Sequence, residues 1–143
     1  MWDIAAEVLR AAQALGIRAE PLTVESSAAL WSSILQRYAA GNDKWPLWEH
    51  LRNDIGVQLV DGWKLLPRFL GTGGPLALVF EPADERRYIR FHAAPDIVRT
   101  LEDCFRFEFY VTDDSLSFLL CFNHHDFLIG AGLAREWVKS LRC

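Results

Sequence analysis

The sequence is poor in cysteine, in long apolar runs and in positive charge gathered in one place. Its three cysteines, Cys104, Cys121 and Cys143, lack the paired short spacing of a zinc site, so we expect reduced thiols. No apolar run approaches the ~18 residues that a membrane-spanning helix needs, and residues 1–7 lack the basic stretch of a signal peptide. These absences predict a cytoplasmic protein with no membrane partner.

The charge balance is mildly acidic. Fifteen Lys and Arg residues and 19 Asp and Glu residues give a formal net charge of −4, and the basic residues are scattered along the chain. A nucleic-acid-binding surface needs basic residues gathered on one face, so we expect no nucleic-acid partner. The charge suits a basic protein partner, although it is equally typical of a domain that only has to stay in solution.

Large apolar side chains are abundant. The 143 residues are 51% hydrophobic and include six Trp and nine Phe, which is enough to fill a core without disulfides. A chain of this length has the usual size of one domain. We therefore predict a single domain over residues 1–143.

Apolar residues recur at helical spacing through the first half of the chain. This spacing predicts a helix over residues 3–15, a second over 25–40 capped by Thr23 or Ser26, and short helices near 45–51 and 63–69. A glycine-rich stretch that ends at Pro75 breaks the pattern. We expect helices to dominate up to Leu70 and the sheet to begin after it.

Beyond this break the pattern changes to alternation and β-favouring residues. It predicts a hairpin over 76–81 and 87–92, a helix over 93–102, a second hairpin over 105–122, a short strand over 127–129 and a closing helix over 133–141. The predicted fold class is α+β. N-terminal helices pack on a four- or five-stranded, mostly antiparallel sheet, and a helix closes the chain.

The second hairpin has the clearest alternation. A two-residue turn at Asp113-Asp114 places residues 105, 107, 109 and 111 opposite 122, 120, 118 and 116, and all eight are Phe, Val or Leu. The other face is mixed, with Glu108 across from Leu119 and Tyr110 across from Ser117. That face is either covered or partly open.

The most polar segment, Asn123-His124-His125-Asp126, follows an apolar strand. Imidazole and carboxylate groups can bind zinc or move protons, but adjacent histidines in extended backbone point to opposite faces, so we expect them not to share one site. Hydrogen bonds that close the strand end are the simpler interpretation. Glu108 is expected to pair with Arg106 or Arg90, or to lie in a functional pocket. Cys121, in mid-strand, is expected to behave as a small hydrophobe and not as a nucleophile.

A second candidate site is a tryptophan-bearing surface edged by acids. Tryptophans more often fill a core, but exposed ones commonly form the energetic centre of protein–protein contacts. The candidate partner-binding residues are Trp45, Trp48, Trp63, Asp43 and Asp54.

Three runs between Leu101 and Gly132 form a pattern. They are Phe107-Glu108-Phe109-Tyr110-Val111, Ser117-Phe118-Leu119-Leu120-Cys121 and Asn123-His124-His125-Asp126. The pattern resembles an uncharacterised family of small bacterial proteins in which a Glu-aromatic-Tyr strand precedes a Trp-Leu-like strand and an Asn-His-His-Asp turn; Phe118 stands where the family commonly has Trp. Such proteins look like immunity proteins encoded beside polymorphic toxins, comparable in scale to SUKH-type immunity folds. The resemblance implies a site made of Glu108, Tyr110, Asn123, His124, His125 and Asp126.

We therefore expect a cytoplasmic immunity-type protein, monomeric or weakly homodimeric, that binds and neutralises a cognate toxin domain. This hypothesis assigns no catalytic residue, metal or cofactor, and it predicts that the protein is not an enzyme. Two alternatives stay open. One is a small metal-dependent hydrolase that uses the Asn-His-His-Asp segment with Glu108, and the other is an adaptor that homodimerises through a sheet edge or through the mixed face near Tyr110.

Overall fold

The computed structural model describes residues 3–142, so Met1, Trp2 and the predicted free thiol of Cys143 lie outside the described residues. Short 3-10 segments cover Leu47–Glu49 and Gly62–Leu65. The strands are β1 (Ala19–Pro21), β2 (Ile55–Gln58), β3 (Leu76–Val79), β4 (Ile89–Phe91), β5 (Phe109–Asp113), β6 (Phe118–Phe122) and β7 (Phe127–Gly132). The helices are α1 (Ile4–Ala14), α2 (Val24–Ala39), α3 (Leu66–Leu70), α4 (Ala94–Glu102) and α5 (Ala134–Ser140).

The predicted α+β class is confirmed, but the sheet has seven strands and not four or five. Their order is β1-β4-β3-β5-β6-β7-β2, and every described pair of neighbours is antiparallel. The expectation that the sheet begins after Leu70 was wrong, because both edge strands come from the N-terminal half. β1 has three residues and ends in Pro21, and β2 has four, so neither is long enough to show a strand period.

The two long helices begin within one residue of their predicted starts because their caps are local. The side chain of Asp3 accepts a hydrogen bond from the backbone N–H of Ala6, and that of Thr23 accepts one from Ser26. Thr23, and not Ser26, is therefore the cap of α2. Ala40 ends this helix in the left-handed conformation at φ 51°.

The second hairpin has the predicted faces and a different register. Phe109 pairs with Phe122 and Val111 with Leu120, a shift of four residues, because the turn is longer than two residues. The carboxylate of Asp113 accepts hydrogen bonds from the backbone N–H and the hydroxyl of Ser117, which stabilises the longer turn. A shift by an even number keeps each side chain on its predicted face, but it removes residues 105–108 from the strand.

Both faces of the sheet are covered. A Cβ on Gly130 would lie 2.6 Å from Val138 and 2.8 Å from the carbonyl oxygen of Ala134, so α5 packs directly on the face that carries the Phe/Leu stripe. On the opposite face, the ring centroid of Trp31 in α2 lies 5.8 Å from that of Tyr110. The mixed face is therefore covered by α2. Among the helices of residues 3–142, none is long and apolar enough to cross a membrane.

Candidate functional site

Three neighbouring central strands end or begin at the same end of the sheet and bring polar side chains together there. Glu81 follows the end of β3, Glu108 precedes β5, and His124 follows β6. Val79 pairs with Tyr110, and Phe109 pairs with Phe122. When the same register is continued past the strand ends, Glu81 lies beside Glu108, and Glu108 lies beside the start of the β6–β7 turn. The polar cluster is thus a direct consequence of the strand register.

Glu108 is the centre of this cluster. One carboxylate oxygen accepts hydrogen bonds from the backbone N–H of His124, at 2.9 Å, and from its ring Nδ1. The other oxygen accepts a bond of 3.3 Å from the indole Nε1 of Trp48. A carboxylate can only accept, so the imidazole proton lies on Nδ1, and Nε2 is left as an acceptor in the neutral ring.

The expected arginine partners of Glu108 bind elsewhere. Arg106 lies 2.7 Å from Asp126, and Arg90 lies 3.3 Å from Asp114. Glu108 instead pairs with His124, with its own side chain 13% exposed and that of His124 61% exposed. The prediction of an arginine pair was wrong because donors from His124 and Trp48 occupy both carboxylate oxygens of Glu108, while Arg106 binds Asp126.

The Asn-His-His-Asp segment is a turn between β6 and β7. The side-chain oxygen of Asn123 accepts hydrogen bonds from the backbone N–H groups of His125, at 2.9 Å, and Phe127, at 3.1 Å, and Asp126 has a φ of 60°. The interpretation that these polar groups close the strand end is therefore confirmed for Asn123. The ring centroids of His124 and His125 lie 3.8 Å apart, so the expectation of opposite directions, which assumed extended backbone, was wrong.

A buried hydrogen-bonded chain lies beneath the turn. The hydroxyl of Tyr110 donates to Glu81, at 2.5 Å, and accepts from the backbone N–H of Trp48, while the backbone N–H of Leu47 also donates to Glu81. Glu81 is 3% exposed. Burial raises the pKa of Glu81, and the bonds from Tyr110 and Leu47 offset part of that rise. Burial likewise raises the pKa of Tyr110.

A cavity of about 670 Å³ opens beside Glu108 and His124. Its apolar wall comes mainly from the stretch that leaves the strand, with ring centroids 5.9 Å apart for Phe105 and Phe107 and 6.3 Å apart for Phe107 and Phe109. Its volume is within the range of small-molecule sites. The remaining lining residues include Trp63, Lys64, Leu101, Cys104, Arg106, Phe122 and Asn123.

The five predicted partner-binding residues lie in different surroundings and do not form one surface cluster. Trp45 is 66% exposed on the loop after α2, next to the exposed Asp43. Trp48 is half-buried, with its ring centroid 5.8 Å from that of His125, and it joins the Glu108 cluster. Trp63 lines the cavity. Asp54 is half-buried and interacts electrostatically with Arg135, and burial raises the pKa of this carboxyl.

The two described cysteines are poor nucleophiles in this setting. Cys121 is 1% exposed, as expected for a small hydrophobe in mid-strand, and burial raises the pKa of its thiol. Cys104 lines the cavity, and burial raises its pKa to about 11.

The structure brings the imidazoles together without completing a metal site. Within residues 3–142, no group of three or more His, Cys, Asp or Glu side chains is arranged to hold a metal ion. The side chain of Asp126 is bound to Arg106 and that of Glu108 to His124 and Trp48. The site therefore places His124 beside a cavity with an aromatic wall, and the described residues do not assemble a ligand set for zinc.

Sequence reasoning missed Glu81 and the cavity. A signal for Glu81 was available, because an acid directly after the apolar run Leu76-Ala77-Leu78-Val79-Phe80 is placed at a buried strand end. The cavity had no such signal, since Phe105 and Phe107 fit the alternation of a longer strand.

Searches against family models, curated proteins and solved structures find no match to this chain. The resemblance to bacterial immunity proteins therefore stays a prediction.

Proposed function

We propose that this chain is a cytoplasmic immunity-type protein that binds a cognate bacterial toxin domain and neutralises it by covering its active site. The observation that carries the proposal is the exposed indole of Trp45, 66% accessible on a loop that is anchored from inside the protein. Tryptophan is enriched among the few residues that supply most of the binding energy of an interface.

The anchoring of the loop supports a binding role. Two residues after Trp45, Leu47 is buried and its backbone N–H donates to Glu81; the next N–H, that of Trp48, donates to Tyr110. At the other end of the loop, Arg52 donates its backbone N–H to the carbonyl of Tyr38. A loop held in this way loses little conformational freedom on association, so more of the contact energy remains as affinity.

Charge makes a smaller contribution to the proposal. Asp43 and Lys44, the two residues before Trp45, have opposite charges, so the charge next to Trp45 in the chain is mixed. The formal net charge of −4 acts at longer range and favours encounter with a basic partner. We therefore attribute the affinity of the complex to the indole of Trp45. The net charge is expected to raise the rate of association.

The test begins with a search for a toxin-like protein encoded next to the gene of this chain, which is then purified. The two purified proteins are expected to form a one-to-one complex, and co-expression is expected to protect cells from the toxin. Trp45→Ala is expected to weaken the complex by at least about 30-fold, the scale of a hot-spot residue worth 2 kcal/mol. Leu133→Ala is the matched control, because Leu133 is an apolar side chain 70% exposed on a different loop.

The outcomes separate clearly. Lack of a toxin-like neighbour, or of a complex with its product, contradicts the immunity proposal. A complex that tolerates Trp45→Ala as well as Leu133→Ala contradicts the assignment of Trp45 as its centre.

A further inference from the structure

We infer that the cavity beside His124 is a binding site for a small, neutral, largely aromatic molecule that carries a hydroxyl group. This inference is independent of the proposed toxin partner, because Trp45 does not line the cavity. It depends on the shape of the cavity, the charge of its lining and the hydrogen-bonding state of one imidazole.

The apolar wall determines the body of the ligand. Phe105, Phe107, Phe109 and Phe122 form a continuous series of ring contacts, with successive centroids 5.9, 6.3 and 6.3 Å apart, and Trp63 lines the same cavity. Phe105 and Phe107 are only partly buried, so the cavity exposes aromatic surface that a ligand can cover. Aromatic rings pack favourably edge-to-face and offset against such a wall.

His124 determines the polar group of the ligand. Its Nδ1 donates to Glu108, and the indole of Trp48 occupies the second oxygen of that carboxylate. Both oxygens of Glu108 therefore have donors, and in the neutral imidazole Nε2 of His124 remains the acceptor of this pair. A ligand hydroxyl, which can donate to Nε2, fits this site better than a ligand that can only accept.

The charge of the lining favours a neutral ligand. The two basic residues already have acidic partners, since Lys64 lies 3.8 Å from Asp61 and Arg106 lies 2.7 Å from Asp126. Glu102 adds a further carboxylate to the lining. The carboxylates of Asp61, Glu102 and Glu108 in the lining outnumber these two cations, so an anionic ligand would meet net negative charge and a neutral ligand would not.

The test is an NMR titration of the whole protein, labelled with ¹⁵N, with three probes of the same ring system: 2-naphthol, naphthalene and 2-naphthoate. 2-Naphthol is expected to give saturable shifts at the amides of cavity-lining residues. It is expected to bind about three- to tenfold more tightly than naphthalene, the scale of one hydrogen bond, and more tightly than 2-naphthoate.

Two histidine variants provide the internal comparison. His124→Ala is expected to remove the advantage of 2-naphthol over naphthalene. His125→Ala is expected to keep it, because His125 neighbours His124 but does not line the cavity. If His124→Ala fails to fold, the three probes on the wild-type protein still decide the matter.

Several results would overturn the inference. These are shifts that do not saturate or that lie outside the cavity, equal affinity for 2-naphthol and naphthalene in the wild-type protein, tighter binding of 2-naphthoate, or an unchanged preference for 2-naphthol in His124→Ala.

Discussion

Glu108 binds His124 twice, through the backbone N–H and through ring Nδ1. The two residues lie 16 positions apart and meet because the end of β6 pairs with the start of β5. The backbone contact holds the turn, and the ring contact sets which imidazole nitrogen carries the proton. Both the proposed small-molecule site and the order of the β6–β7 turn depend on this pair.

Asn123→Ala is expected to destabilise the protein by about 1–3 kcal/mol, because two backbone N–H groups lose their acceptor at a position that is 2% exposed. Urea unfolding measures the loss. Asn42→Ala is the matched control, since the side chain of Asn42 accepts from the backbone N–H of Lys44 in an exposed turn, where water can replace it. Equal losses in the two variants would show that the Asn123 turn is not specially stabilising.

Glu81→Gln is expected to gain stability relative to the wild-type protein as the pH rises. Burial raises the pKa of Glu81 above its ordinary value of 4.5, so the folded protein holds this proton more tightly than the unfolded chain. The wild-type protein therefore loses stability between pH 4.5 and the higher pKa of the folded state. The amide of the variant does not titrate and keeps an oxygen for the donors Tyr110 and Leu47.

The measurement is the difference in unfolding free energy between Glu81→Gln and the wild-type protein from pH 4 to pH 8. Asp54, whose pKa burial also raises, titrates in both proteins and cancels in the difference. A difference that stays constant, or that falls with rising pH, would contradict a raised pKa for Glu81 in the folded protein.

Gly130→Ala is expected to cost about 1–3 kcal/mol of stability, because its methyl group would lie 2.6 Å from Val138 and 2.8 Å from the backbone of α5. The helix must shift away from β7 to admit it. Gly73→Ala is the control, since the nearest atom to a Cβ there lies 3.7 Å away. Thermal unfolding of the two variants measures the difference in their midpoints. Equal midpoints would mean that α5 does not pack closely against Gly130.

Cys104 is expected to react slowly with iodoacetamide in the folded protein. A thiol with a pKa of about 11 in place of 9.0 has roughly 100-fold less thiolate at pH 7. The rate is read by mass spectrometry on a Cys143→Ser variant, with and without urea. A native rate close to that in urea would show that the thiol is not shielded.

Local periodicity alone determined a large part of this fold. The bounds of α1 and α2 follow from apolar residues at helical spacing and from the caps Asp3 and Thr23, all of which act within a few residues. The two faces of the β5–β6 hairpin follow from strict alternation, which an even change of register does not disturb.

Only the tertiary structure decided how those elements meet. The turn held by Asp113 and Ser117 shifts the hairpin by four residues, so Glu108 lies beside the Asn123 turn and not across from Leu119. The edge strands β1 and β2 exist because β4 and β7 offer them hydrogen-bonding partners, and not because of their own composition. The site depends on these long-range pairings. Trp48, Glu108 and His124 lie far apart in the chain, and local sequence patterns do not predict their contacts.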